Sequence, residues 1–228
     1  MKYRFLLFDA DDTLFDFDQS SRQAFHEAMQ VCGVQPQPRD YDNYAAINLA
    51  LWKQFERGEI DKETILTKRF RDFTKKYRIN ADPDAINERY KAALSHKNIL
   101  MPDALFVIET LFHQGYRLFI ITNGDAAIQH KRLGTSPITP YIEKVFISEE
   151  IGHAKPSPLF FDAVADGISD FSKEQALVIG DSESSDIRGA NLSGIDACYV
   201  SPHNTPLPDG IFANYTVRCL TDLLAILN

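Results

Sequence analysis

Short apolar runs recur along the chain at residues 3–8, 117–122, 144–148, 176–180, 197–200 and 215–217. Each is rich in β-branched or aromatic residues and is closed by polar residues or glycine, the pattern of a buried strand. The stretches between them read as helices. Pro102 opens one that runs to His113 and stops before Gly115, with proline in its first turn and glycine beyond its last. Residues 158–167 and 185–194 predict two more. Strands alternating with helices in this order predict an α/β fold, a doubly wound parallel sheet covered on both faces.

Residues 18–98 break the alternation and read as helical throughout. Ser20 with Gln23 predicts a capping box, and Asp82-Pro83 predicts a cap followed by a first-turn proline. Tyr44, Ile47, Leu51 and Phe55 recur at spacings of three, four and four, which makes one apolar stripe. The expected organisation is a sheet-bearing core of residues 1–17 and 99–228 with an all-helical cap, 18–98, inserted after the first strand. Thr205-Pro206-Leu207-Pro208 reads as a turn-rich loop.

Composition narrows the partners. The formal charge of −8 over 228 residues argues against nucleic-acid polymers, which need a basic surface. A small anion remains compatible, since a local site can be positive on an acidic protein. Cys32, Cys198 and Cys219 are odd in number and scattered, which points to a reducing compartment and three packed thiols rather than a zinc cluster. Acids end the N-terminal apolar stretch too early for a signal peptide, and no segment approaches the ~20 apolar residues of a membrane span. A cytoplasmic protein, monomeric or weakly dimeric, is expected.

The chemistry gathers at strand ends, where doubly wound sheets bind ligands. The first strand runs into Asp9-Ala10-Asp11-Asp12-Thr13, the second into Thr122-Asn123-Gly124, and a later one into Gly180-Asp181, with Asp186 five residues on. Lys155-Pro156 follows the 144–148 strand across a short loop. Taken singly, each has a plain reading: Thr-Asn-Gly as a turn, Lys155 as a surface lysine, Asp181 as a helix cap. Their placement at successive strand ends changes the weighing. So dense a carboxylate cluster needs a cation, and oxygen ligands suit Mg²⁺. Asp9 and Asp11, two positions apart, would face the same way on a strand, leaving one to attack phosphorus and the other to handle protons. Thr122 and the amides of Asn123 and Gly124 are suitable donors to phosphoryl oxygens. Asp16 and Asp18 read as solvated surface acids.

This set resembles the haloacid dehalogenase superfamily, whose four motifs match Asp9-x-Asp11-x-Thr13, Thr122-Asn123-Gly124, Lys155-Pro156 and Gly180-Asp181-x₄-Asp186. The resemblance spans essentially the whole chain, and the helical insertion matches that family's mobile cap. It implies a Rossmann-like core, Asp9 as nucleophile, Asp11 as acid/base, and Thr122 and Lys155 on the phosphate. It also implies Mg²⁺ bound by Asp9, the Asp11 carbonyl and Asp181, with Asp186 behind them or acting through water. The family's dehalogenases lack the second aspartate, so Asp11 points toward phosphatases. Asp12 stands where many members have glycine, which is similar to a branch of bacterial nucleotidases acting on pyrimidine 5′-monophosphates. Asn48-x-x-Leu51-Trp52-x-x-Phe55-x-x-Gly58, Ser148-Glu149-Glu150-x-Gly152 and Cys198 agree with that branch, and Asp12 reads as a mark of lineage without chemistry. The expected substrate is a nucleoside monophosphate, with Trp52 and Asn48 as base-binding candidates or, for the aromatics, as packing of the cap itself. The alternatives are a phosphatase of sugar phosphates, or a phosphotransferase or mutase on the same scaffold. A phospho-acceptor signalling domain is a third class, disfavoured because its phosphorylated aspartate closes a middle strand, where this chain has Thr-Asn-Gly.

Overall fold

The computed structural model describes residues 2–227, and they fall into two compact units. One is formed by the segment up to Phe17 together with the segment from Asn98 onward; the other is Asp18–Lys97.

The first unit is built on six strands: β1 (Phe5–Phe8), β2 (Arg117–Thr122), β3 (Lys144–Ile147), β4 (Ala176–Gly180), β5 (Asp196–Val200) and β6 (Tyr215–Val217). All pairings are parallel, in the order β3-β2-β1-β4-β5-β6. The near-continuous apolar runs follow from burial on both faces. Leu6, Phe8, Leu118, Ile120, Leu177 and Ile179 face one core, joined by Val107, Ile108 and Leu111 of α5 (Ala104–His113). Phe5, Leu7, Phe119, Ile121, Val178 and Ala197 face the other, against Phe160, Phe161 and Val164 of α8 (Pro158–Asp166). Helices α6 (Ala126–Gly134), α7 (Ser148–Ile151), α9 (Arg188–Ser193) and α10 (Leu223–Ile226) complete this unit. The chain switches direction between β1 and β4, so the β1, β2 and β4 ends lie side by side.

The second unit is helical: α1 (Phe17–Val31, beginning at the junction), α2 (Asp40–Glu56), α3 (Lys62–Tyr77) and α4 (Pro83–Leu94). Its core is aromatic. Tyr44 stacks on Phe70 with centroids 4.5 Å apart, and Phe25, Phe73 and Tyr90 crowd the same pair. Asp61 caps α3 by accepting from the Thr64 amide at 2.7 Å, and Asp82 caps α4 ahead of Pro83, as its sequence predicts.

Several expectations are corrected. Helix α1 begins at Phe17, so Ser20 is a buried interior residue and the Ser20–Gln23 capping box does not form. The helix starts early because Asp12 accepts from the Phe17 amide at 3.1 Å. Helix α5 begins at Ala104 rather than Pro102, because Asp103 takes a left-handed backbone, φ 60°. Residues 185–194 start with a π-helical turn, Glu183–Ile187, before α9. Cys198 is buried, but Cys219 is exposed and not a packed thiol. Of the α2 stripe, Tyr44 and Leu51 are buried while Ile47 and Phe55 are only half-buried. No helix among the described residues is long and apolar enough to cross a membrane.

Leu7 is fully buried at the centre of the sheet. Leu7→Ala should lower unfolding free energy by about 2–5 kcal/mol, through lost apolar contact and the cavity left behind. Urea denaturation should show this as a lower midpoint at unchanged slope.

Candidate active site

The Asp9 amide donates to Ile179 O at 2.8 Å, which ties the end of β1 to β4 and brings Asp9 beside Asp181 and Asp186. One carboxylate oxygen from each of these three acids lies within 4.8 Å of the others. Lys155 is buried among them. Its ammonium donates to Asp9 Oδ1 at 2.5 Å, Asp186 Oδ1 at 2.6 Å and Ile121 O at 2.9 Å, which uses all three protons. The reading of Lys155 as a surface residue therefore falls. The Asn123 amide group holds it in place, donating to Lys155 O at 2.9 Å and accepting from Lys155 N at 3.0 Å.

Asp186 sits on the π-helical turn, a feature that often marks functional sites. Its second oxygen accepts from the Ser182 amide at 3.1 Å. Gly180 makes room for it: a β-carbon there would lie 2.3 Å from Asp186 Oδ2. Asp181 accepts from the Thr13 hydroxyl at 3.1 Å, so the fifth residue of the first motif orients the acid that follows β4.

Three carboxylates facing one lysine leave an excess of negative charge away from water, and burying such charge without compensation is costly. Burial pushes the Asp9 carboxyl up to about 8, with Lys155 pulling the other way and Asp186 and Asp11 adding to the rise. Asp181 is likewise raised well above the carboxylate range, by burial first and then by its acidic neighbours. Burial alone would lower the Lys155 ammonium, but Asp186 and Asp9 more than offset this and hold it charged. A divalent cation fits this donor set: hard oxygen ligands in number, with a charge deficit of matching sign.

Asp11 does not join this cluster, although it is two residues from Asp9. The loop after β1 turns back, with Leu14 N and Phe15 N both donating to Ala10 O, and so aims Asp11 elsewhere. Its Oδ2 accepts from Gln129 Nε2 at 2.7 Å, and its Oδ1 is paired with Arg132. Both partners come from α6, and neither was singled out in the sequence. An arginine and a glutamine three apart on a helix look like surface residues until the fold buries them. Gln129 Nε2 also reaches Thr122 Oγ1 at 3.4 Å, and that hydroxyl accepts from the Gly124 amide at 3.0 Å.

Asp12 has φ 59°, the left-handed region where glycine is at ease and aspartate is among the better-tolerated alternatives. With its hold on the Phe17 amide, this gives Asp12 a structural role that the lineage reading lacked. Asn48 and Trp52 belong to the helical unit. Asn48 is buried, with no hydrogen-bond partner for Oδ1 among the described residues. Trp52 is half-buried and meets Phe55 edge-on, centroids 5.7 Å apart.

A parallel sheet with its acids and lysine gathered at adjoining strand ends defines a class of hydrolases. The model of the haloacid dehalogenase-like hydrolase family matches residues 6–200, and the chain belongs to that family. It is 36% identical to the pyrimidine 5′-nucleotidase PynA of Streptococcus pneumoniae and 35% identical to the HAD-hydrolase YfnB of Bacillus subtilis, in both cases over all of this chain and 96% of the relative. It is 30% identical to the pyrimidine 5′-nucleotidase YjjG of Escherichia coli, over all of this chain and 99% of that one. The magnesium-bound crystal structure of YfnB superposes with a TM-score of 0.94 at 34% identity, covering both chains completely.

The raised Asp9 has a consequence for stability. Without a divalent cation the folded form keeps a proton between about pH 4 and 8 that the unfolded chain has released. Unfolding free energy should therefore fall as pH rises through that window in EDTA. Adding Mg²⁺ should flatten the fall and Asp9→Asn should lessen it, since Asp181 is raised as well, and urea midpoints at pH 5 and pH 8 measure it.

Proposed function

We propose that the chain is a Mg²⁺-dependent phosphomonoesterase that works through a phospho-aspartyl intermediate on Asp9, with pyrimidine nucleoside 5′-monophosphates as its substrates. The observation that carries the reaction type is the buried cluster of Asp9, Asp181 and Asp186 around Lys155. The substrate class rests on the two relatives named pyrimidine 5′-nucleotidases.

Asp9, Asp181, Asp186 and the Asp11 carbonyl would hold the metal. When bound, it would supply positive charge that keeps Asp9 ionised and offsets charge on the phosphoryl oxygens. The Asp9 carboxylate attacks phosphorus as the bond to the ester oxygen breaks, and Asp11 gives its proton to that oxygen. Asp11 then takes a proton from the water that attacks the acyl phosphate, which releases inorganic phosphate and regenerates Asp9. Lys155 supplies fixed charge beside the nucleophile, while the Thr122 hydroxyl and the Asn123 amide serve the phosphoryl oxygens. These core groups meet the same phosphate in every ester. Discrimination between leaving groups therefore belongs to the helical unit, read as a cap over residues 18–98. There Asn48 brings an unsatisfied buried acceptor, matched to an N–H on a base edge, and Trp52 an aromatic face. A cytoplasmic setting with small phosphorylated metabolites as partners agrees with this reading.

Asp9→Asn should abolish turnover and any covalent phosphoryl-enzyme, since an amide does not attack phosphorus. EDTA should silence the wild type and Mg²⁺ restore it, with Ca²⁺ a poor substitute because it is larger and less strictly octahedral. Wild-type turnover in Asp9→Asn would remove the nucleophile assignment.

UMP and dTMP should turn over faster than purine nucleotides or sugar phosphates. Trp52→Ala should cost at least about tenfold on UMP and little on p-nitrophenyl phosphate, given the ~1–3 kcal/mol of a base stacked on an aromatic ring. An equal loss on both substrates, with a lower melting temperature, would instead assign Trp52 to packing.

A further inference from the structure

Helix α6 begins immediately after the Thr122-Asn123-Gly124 turn, and its start is well fixed. Asp125 caps it by accepting from the Ile128 amide at 3.1 Å, and Glu149 accepts from the Ala126 amide at 3.1 Å. From it, Gln129 and Arg132 project on one face, three residues apart, and both are almost wholly buried. Their side chains converge on the Asp11 carboxylate, one on each oxygen. The Arg132 guanidinium is held in turn over the Phe15 ring, 4.7 Å from its centroid, and Phe15 is fixed in the same loop as Asp11. Buried ion pairs are poor sources of stability, because desolvation consumes most of their attraction. An arginine hidden completely beside a partly open carboxylate points to a use other than stability.

We infer that Arg132 and Gln129 are positioning residues that fix the orientation of the Asp11 carboxylate for proton transfer, and that Gly124 is glycine to leave room for Gln129. The inference deepens the proposed phosphatase mechanism and rests on Asp11 being its acid/base. Each Asp11 oxygen accepts one bond from α6 and keeps a second lone pair. The proton that goes to the ester oxygen, and later comes from water, therefore sits on an oxygen of fixed direction. Gln129 also touches Thr122 Oγ1, so one amide sets the distance between the acid/base and the phosphate-binding hydroxyl. A β-carbon on Gly124 would stand 2.2 Å from Gln129 Nε2 and force that amide aside. Misplacing a reacting group by about 1 Å can cost on the order of a hundredfold in rate.

The test compares Gln129→Met and Arg132→Lys with Asp11→Asn, all with Mg²⁺. Two esters are used: UMP, whose alkoxide must be protonated as it leaves, and 2,4-dinitrophenyl phosphate, whose phenolate leaves without a proton. Both variants should lose about tenfold or more in kcat on UMP, with KM within about threefold. Their burst of dinitrophenolate, which reports phosphorylation of Asp9, should stay within about threefold of wild type. If the buried arginine variant does not fold, Gln129→Met decides the matter. Equal losses on both esters, accompanied by lower melting temperatures, would mark a merely structural role and overturn the inference. So would wild-type UMP turnover in Gln129→Met and Arg132→Lys while Asp11→Asn is inactive, a result that leaves the mechanism standing. Wild-type UMP turnover in Asp11→Asn would remove the acid/base reading and this inference with it.

Discussion

The ammonium of Lys155 is the point on which the sheet unit's chemistry turns. It is buried beneath the strand ends and is answered by Asp9, Asp186 and a backbone carbonyl. One positive charge among three acids balances part of the cluster and leaves the rest for a cation. Burial, and after it the mutual repulsion of these acids, accounts for the strong upward push on Asp9 and Asp181.

Several devices hold that lysine and its acids in place. The Asn123 side chain clasps the Lys155 backbone from the neighbouring strand end, with one bond in each direction. Gly180 lets Asp186 fold back against β4, and Thr13 turns Asp181 inward. Parallel pairing sets β1 between β2 and β4, so Asp9 follows Phe8 at the level where Ile120 and Ile179 stand on either side. A parallel sheet puts all strand C-termini on one edge. Acids placed just after β1 and β4 therefore meet without any long-range instruction in the sequence.

That logic explains which parts could be read from the residues alone. Strand runs such as 117–122 and 176–180 were legible because a strand buried on both faces must be continuously apolar. Asp9, Lys155, Asp181 and Asp186 were legible because topology gathers strand ends. Gln129 and Arg132 were not: helix-borne polar residues look alike whether they meet water or a carboxylate, and only packing of α6 against the Asp9–Phe15 loop separates the two. The Ser20 capping box failed for a related reason. A helix start depends on what satisfies its first amides, and Asp12, eight residues upstream of Ser20, supplies that from outside the local pattern.

The two aspartates of the first motif also show how a fold divides chemical roles. On a regular strand Asp9 and Asp11 would share one face and one environment. The strand ends at Phe8, however, and the loop that follows sends them to disjoint partners. Asp9 meets a flexible point charge that already serves a second carboxylate, in a setting that a metal ion would complete. The Asp11 carboxylate meets a rigid guanidinium fork and an amide and remains partly open to solvent. Groups of the same type acquire different chemistry when their surroundings are set apart, and here a single turn of loop does so. A carboxylate whose charge is answered by a cation is suited to attack. One whose direction is fixed by neutral and cationic donors, with a lone pair left on each oxygen, is suited to carry a proton. It is α6 that holds the second aspartate out of the first one's cluster.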